Sequence, residues 1–361
     1  MEHVIALDVG GTGMKAALVG PDGALLYETR RATGRERGAD AVVAAVLDLA
    51  VELRAQGEAR FGAPAAALGA AVPGIVDAER GIAVYSANLN WAHVPLRDLL
   101  SERLGGTPVA LGHDVRTGGL AEGRIGAGRG ADRFLFVALG TGIAGAIGID
   151  GTIEPGAHGS AGEIGHVVVR PDGPACDCGQ RGCLERLASA AAVSRAWAAA
   201  CGEPDADAAG CAKAVAAGDP RASEVWQQAV DALADGLVGA LTLLDPGTLI
   251  IGGGLAEAGD LLFAPLRAAV ERRVTFQSVP EIVPAALGDT AGCQGAGLLA
   301  WDLLAARRQG AARPDPTADT IRAPGVAPHD RAAPDAPAVP RGSAAPAPHD
   351  PTEVTADGRT K

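Results

Sequence analysis

Two stretches of the chain follow the same local pattern, an apolar run that breaks into a turn built from Gly and Thr. Residues 4–7 run into Asp8-Val9-Gly10-Gly11-Thr12, with apolar residues resuming at 16–19; residues 134–139 run into Gly140-Thr141-Gly142. Pro21-Asp22-Gly23 after the first and Asp150-Gly151 after the second have the turn chemistry of hairpins. Helical spacing follows each: 39–56 and 115–123 in the first half, 184–200, 222–244 and 260–274 in the second. Short apolar runs at 66–72, 109–111 and 248–251 read as buried strands, and 292–306 as a further helix. Two β-then-α halves, each opened by a Gly/Thr hairpin, predict a duplicated α/β architecture with a cleft between the halves.

Charge and composition narrow the partners. Lys and Arg total 31 against 43 Asp and Glu, a net charge of −12, and aromatic residues are 3% of the chain. Nucleic-acid binding depends on cationic contacts and stacking platforms, so no nucleic-acid partner is expected. The most apolar run, 134–149, is broken by Gly and Thr and falls short of the ~20 residues of a spanning helix. The first residues lack a basic signal-peptide region and meet Asp8 early. The expectation is a cytoplasmic protein with no membrane partner. From 309 to 361 the chain has no Leu and no aromatic residue, and Ala, Pro and Asp dominate. That composition predicts a disordered tail.

A third glycine-rich loop, Gly252-Gly253-Gly254, follows the strand at 248–251. Glycine lets backbone N–H groups approach phosphate oxygens, and Thr adds a hydroxyl donor. A single such loop is an ordinary tight turn; three in this order resemble the phosphate and adenosine loops of the sugar kinase/actin/heat-shock ATPase superfold. The P-loop and the Gly-x-Gly-x-x-Gly fingerprint are both missing after the first strand. In this reading Gly10, Gly11, Thr12, Gly140, Thr141, Gly142, Gly253 and Gly254 bind nucleotide or phosphate. Asp8 would hold Mg²⁺, and Lys15 would neutralise phosphate charge.

The most specific feature is chemical. His166 is followed by Cys176, Cys178 and Cys183 within a short segment of a chain that has six cysteines in all. One imidazole and three thiolates suit tetrahedral Zn²⁺, and four protein ligands leave no open position. The metal is therefore expected to be structural.

With these residues the sequence resembles the ROK family (repressors, open reading frames, kinases), especially its bacterial glucokinase-like members. The matching segments are DVGGT at 8–12, VPGIVD at 72–77, NLNW at 88–91, Asp114, LGTGIAG at 139–145, GAHGSAGEIGH at 156–166, CDCGQRGCLE at 176–185 and IIGGGL at 250–255. The resemblance covers residues 4–304 and leaves out the tail.

The resemblance implies two actin-like α/β domains, the smaller over 1–114 with 292–308 packing back on it and the larger over 115–291. It implies ATP-dependent phosphorylation of a hexose at its 6-hydroxyl, glucose first and an N-acetylated or epimeric hexose next, by a homodimer or higher homo-oligomer. Asp114 takes the catalytic-base position. Gly74, Asn88, His113, Asp114, Glu163, His166 and Glu185 take the sugar-binding positions. His113 is a departure, since relatives commonly carry Asn there; imidazole has a different reach and geometry. Two other readings are a sugar-responsive repressor, whose DNA-binding domain would precede the Asp8 loop, and a sugar-binding protein without phosphotransfer.

Overall fold

The computed structural model describes residues 1–312. Sheet A opens with the hairpin of β1 (Val4–Val9) and β2 (Gly13–Val19), which β3 (Leu25–Ala32) extends through the turn at Pro21-Asp22-Gly23. After helix α1 (Ala39–Phe61), β4 (Leu68–Val72) pairs parallel with β1. A small antiparallel sheet of β5 (Ile75–Asp77), β6 (Ile82–Ser86) and β7 (Trp91–Val94) is inserted next. Helix α2 (Leu96–Arg103) returns the chain to β8 (Val109–His113), and the order in sheet A is β3-β2-β1-β4-β8.

Helix α3 (Asp114–Ile125) starts directly from β8 and crosses to the second half. There β9 (Arg133–Leu139), β10 (Ile143–Ile149) and β11 (Thr152–Ile153) form the second hairpin system. A long segment with one short 3₁₀ turn, Ile164–His166, leads to α4 (Glu185–Ala188), α5 (Ala190–Cys201), α6 (Ala208–Ala216) and α7 (Pro220–Leu244). Strand β12 (Thr248–Gly252), helix α8 (Asp260–Glu271), strand β13 (Glu281–Pro284) and helix α9 (Ala291–Ala312) complete it. Sheet B has the order β11-β10-β9-β12-β13, so both sheets pair an antiparallel hairpin with parallel strands in the same sequence. The predicted duplication is present as two sheet-containing domains.

Burial explains how the halves join. One face of sheet A packs on α1 and α2 through Val42, Val46, Leu49, Leu53 and Leu100. Its other face receives α9, where Cys293, Ala296 and Ala300 meet Val4, Ala6, Ala17 and Ala71. Sheet B packs one face on α5, α7 and α8, and the other on α3 through Phe134, Phe136 and Ala146. Each half thus sends one helix across to the other, and α3 and α9 pack against each other between the sheets. Their approach needs small residues: a Cβ on Gly295 would lie 1.9 Å from the carbonyl oxygen of Thr117.

Several expectations shift in detail. The helix expected over 184–200 breaks at Ser189, whose hydroxyl caps α5 by accepting from Ala192 N–H at 3.1 Å. The helix expected over 292–306 runs to Ala312, so the expected tail begins inside α9; the rest of that expectation lies outside the described residues. Among the described residues, no helix is long and apolar enough to cross a membrane.

Candidate active site

A cavity of about 450 Å³ lies between the sheets where α3 begins. Asp8 and Lys15 line it from sheet A, Asp114 from the first residue of α3, and Gly252, Gly253 and Gly254 from the end of β12. Pro284, Ala285, Gly288 and Asp289 close the remaining side. Of the expected nucleotide residues, Asp8, Lys15, Gly253 and Gly254 therefore share one cavity. Gly10, Gly11 and Thr12 stand at the β1–β2 turn, and Gly140, Thr141 and Gly142 at the β9–β10 turn, outside that lining. Each turn is closed by a backbone bond from its first glycine, Gly10 N–H to Gly13 O at 2.9 Å and Gly140 N–H to Gly142 O at 3.0 Å, the second turn being one residue shorter.

The cavity is electrostatically loaded. Burial pushes the Asp8 carboxyl up to about 6; Lys15 works against this, while Asp114 and Asp289 add to it. The Lys15 ammonium stands 3.8 Å from Asp8 and also pairs with Asp289, which Arg30 engages from β3. Sequence reasoning missed Asp289, whose only signal was a lone acid ahead of a helix.

The β8–α3 junction places the expected base. His113 is extended, buried, and caps α3 by accepting the Arg116 N–H on Nδ1 at 3.4 Å. Asn is a favoured residue at such a cap, and here imidazole supplies the acceptor instead. Its Nε2 lies 3.4 Å from Asp114 Oδ1, and burial lowers its pKa in spite of the Asp114 and Glu163 charges nearby. Asp114 Oδ1 accepts the Val115 N–H at 2.7 Å, leaving Oδ2 without a protein donor among the described residues.

The expected sugar residues come from both halves of the chain. Asn88 packs on the β1–β2 turn, where a Cβ on Gly11 would lie 3.3 Å from its own Cβ. Gly74 has φ 99°, and a Cβ there would lie 2.2 Å from Tyr85 O, so the turn after β4 requires glycine. Glu163 directly precedes the Ile164–His166 turn. Arg116 Nη1 donates to Gly159 O at 2.6 Å, tying the segment before Glu163 to α3. Glu185 Oε2 accepts the Ile143 N–H at 2.9 Å, so this carboxylate reaches the β9–β10 turn. A second cavity of about 580 Å³ adjoins the first turn of α3, bounded by His113, Arg116, the 75–79 segment and the 155–159 loop.

The donor atoms of His166, Cys176, Cys178 and Cys183 all lie within 4.8 Å of one another. Nδ1 of His166 is 3.7 Å from Cys176 Sγ, and Cys178 and Cys183 are 3.6 Å apart at sulfur. That is too long for a disulfide, whose sulfurs are ~2.05 Å apart. A tetrahedral ion with bonds of ~2.3 Å would hold its sulfurs roughly 3.8 Å apart, so spacing and donor types fit zinc. With Nδ1 facing the sulfurs, Nε2 is the ring nitrogen left for another partner.

Known proteins share both the sequence and the fold of this chain. The chain is 38% identical over 309 residues to a glucokinase of Thermotoga maritima, covering 81% of this chain and 95% of that protein. The fold matches a ROK hexokinase of Thermus thermophilus with a TM-score of 0.75 at 33% identity, over 84% of this chain and 99% of that one. It also matches a ROK family glucokinase of Streptomyces griseus solved with glucose and AMPPNP, with a TM-score of 0.71 at 31% identity, over 83% and 99% of the two chains. The model of the ROK family matches residues 4–302, and the chain belongs to that family.

Proposed function

We propose that this protein phosphorylates a hexose at its 6-hydroxyl with ATP, glucose being the first candidate. The observation that carries this is the placement of Asp114. It lines the cavity flanked by the Gly252–Gly254 loop and, through His113 and Arg116, neighbours the loop bearing Glu163. Adenosine would lie against that glycine loop and the 284–289 wall, with the phosphates directed to Asp8, Lys15 and the two Gly/Thr turns. Asp8 would hold the Mg²⁺ that enters with ATP, and the ion's chemistry there is neutralisation of phosphate charge.

Asp114 then acts as the general base. Its Oδ1 is engaged by Val115 N–H, so Oδ2 accepts the proton as the hydroxyl attacks the γ-phosphate. Phosphoryl transfer demands alignment and charge neutralisation more than covalent help, and one carboxylate is enough. Asn88, Gly74, Glu163, His166 and Glu185 hold the sugar ring. Carboxylates suit this because they accept hydrogen bonds from hydroxyls. His113 serves the sugar indirectly, as the cap of the helix that carries the base.

Zinc would be held by His166 Nδ1 and the three thiolates and would act as a structural staple. Closure of the smaller domain (1–114 with 292–308) on the larger (115–291) would exclude water from the transfer. A homodimer is the proposed assembly. A coupled ADP-release assay over hexoses and amino sugars tests the reading. Glucose-stimulated release is expected, and absence of release with every sugar would leave a sugar-binding protein.

A further inference from the structure

Helix α3 does more than present Asp114. Two of its other side chains leave the helix and grip main chain in distant segments. Within the first turn of α3, the half-buried Arg116 donates Nη1 to Gly159 O, 43 residues away, in the loop that goes on to Glu163 and His166. Two turns further on, Glu122 is fully buried. Its Oε2 accepts from Ala127 N–H at 2.9 Å and Ala286 N–H at 3.0 Å, and its Oε1 accepts from Leu287 N–H at 2.8 Å.

A buried carboxylate is costly unless donors replace its water. An anchor needed only to end α3 would require the Ala127 bond alone. The other two bonds reach 164 and 165 residues along the chain, to the stretch between Ala285 and Gly288 that walls the nucleotide cavity. We infer that Arg116 and Glu122 are positioning residues that register the sugar loop and the nucleotide wall, respectively, to Asp114 through one rigid helix.

The inference rests on the kinase reading for the identity of the two ligands. Its physical basis is alignment: in-line transfer loses roughly 10²-fold when a reactant is misplaced by ~1 Å. A helix held at both ends by charged hydrogen bonds fixes base, acceptor and donor in one frame. Neither side chain touches the reacting atoms, so each acts through the backbone it holds.

Single substitutions separate the two tethers. In Glu122→Gln the amide keeps one acceptor oxygen and turns N–H groups toward backbone N–H groups. Titration of Mg·AMPPNP and of glucose into the folded variant should show nucleotide affinity reduced about tenfold and glucose affinity changed by less than about twofold. Arg116→Gln should show the reverse, and Arg116→Lys should recover part of the glucose affinity. Parallel loss of both ligands in either variant, or no change in either, overturns the proposal.

Hydrogen exchange on the unmodified protein gives an answer even if Glu122→Gln does not fold. The amides of Ala286 and Leu287 should be protected without nucleotide, and unprotected exchange there overturns the Glu122 tether. Unmodified protein that passes the binding tests but releases no ADP would overturn the kinase reading and leave the two tethers supported.

Discussion

The Ile143 backbone N–H donates to Glu185 Oε2 at 2.9 Å, and a Cβ on Gly142 would lie 2.4 Å from that same oxygen. The carboxylate that ends the cysteine-rich segment is therefore seated on the β9–β10 turn, and a side chain next to it would push it away. Gly142→Ala should raise the KM for sugar about tenfold, the effect of losing one charge-assisted hydrogen bond. The melting temperature should change little. Steady-state kinetics with sugar varied at saturating ATP check this, and an unchanged KM would separate Glu185 from sugar binding.

The same relationship bears on the metal cluster. Cys183 lies two residues before Glu185, and His166 three residues after Glu163, so the cluster flanks both proposed sugar carboxylates. The proposed nucleotide cavity is lined by Gly252, Pro284, Asp289 and their neighbours and by no residue of that segment. Cys178→Ala should weaken glucose binding by at least tenfold while leaving AMPPNP binding within about threefold, in protein whose circular dichroism remains native. Metal analysis of the purified protein should give one zinc per chain. Zinc-free protein with full glucose affinity would cut the link between metal and substrate.

The proposed base can be tested apart from the other sugar-site residues. Asp114→Asn keeps the oxygen that accepts Val115 N–H but removes the proton acceptor. It should keep sugar binding and lower kcat by ~10²–10⁴-fold, the usual share of general-base catalysis. Single-turnover kinetics at saturating substrates measure the step directly. A variant turning over near the normal rate would take Asp114 out of the chemistry.

Much of this site was legible where chemistry is dense in sequence. The four candidate metal ligands fall within 18 positions, and the hairpin turns carry glycines that strands do not tolerate well. The small β5–β7 sheet gave no such signal. Its strands are three to five residues long and leave Ile75 54% and Tyr85 50% exposed, so no apolar alternation marks them. The break at Ser189 was hidden inside an alanine-rich run whose periodicity looks continuous, although Ser before Ala-Ala-Ala is itself a capping signal. Arg116 and Glu122 were invisible for a different reason. Their long-range partners are backbone groups 43 to 165 residues away, and backbone partners leave no trace in residue type. A carboxylate among Leu120, Ala121 and Gly123 was the single available hint for Glu122.

The raised carboxyl of Asp8 makes a prediction about stability that is separate from catalysis. Its pKa moves from 3.8 to about 6 on folding, mainly through burial, and the side chain is only 16% exposed. Between those values the folded protein binds more protons than the unfolded chain, so this group lowers stability as pH rises from about 4 to 6. Above that window the cost is constant, of order 3 kcal/mol at most, since one pKa unit is worth ~1.4 kcal/mol. In metal-free protein, Asp8→Asn should therefore melt higher than wild type at pH 7.5, and the difference should vanish near pH 4. Thermal melts in EDTA across this range check the sign. A variant that melts lower at every pH would mean that the 3.8 Å pairing with Lys15 outweighs desolvation. Mg·ATP should raise the melting temperature of wild type more than that of Asp8→Asn, because the proposed contact to the metal needs the ionised carboxylate.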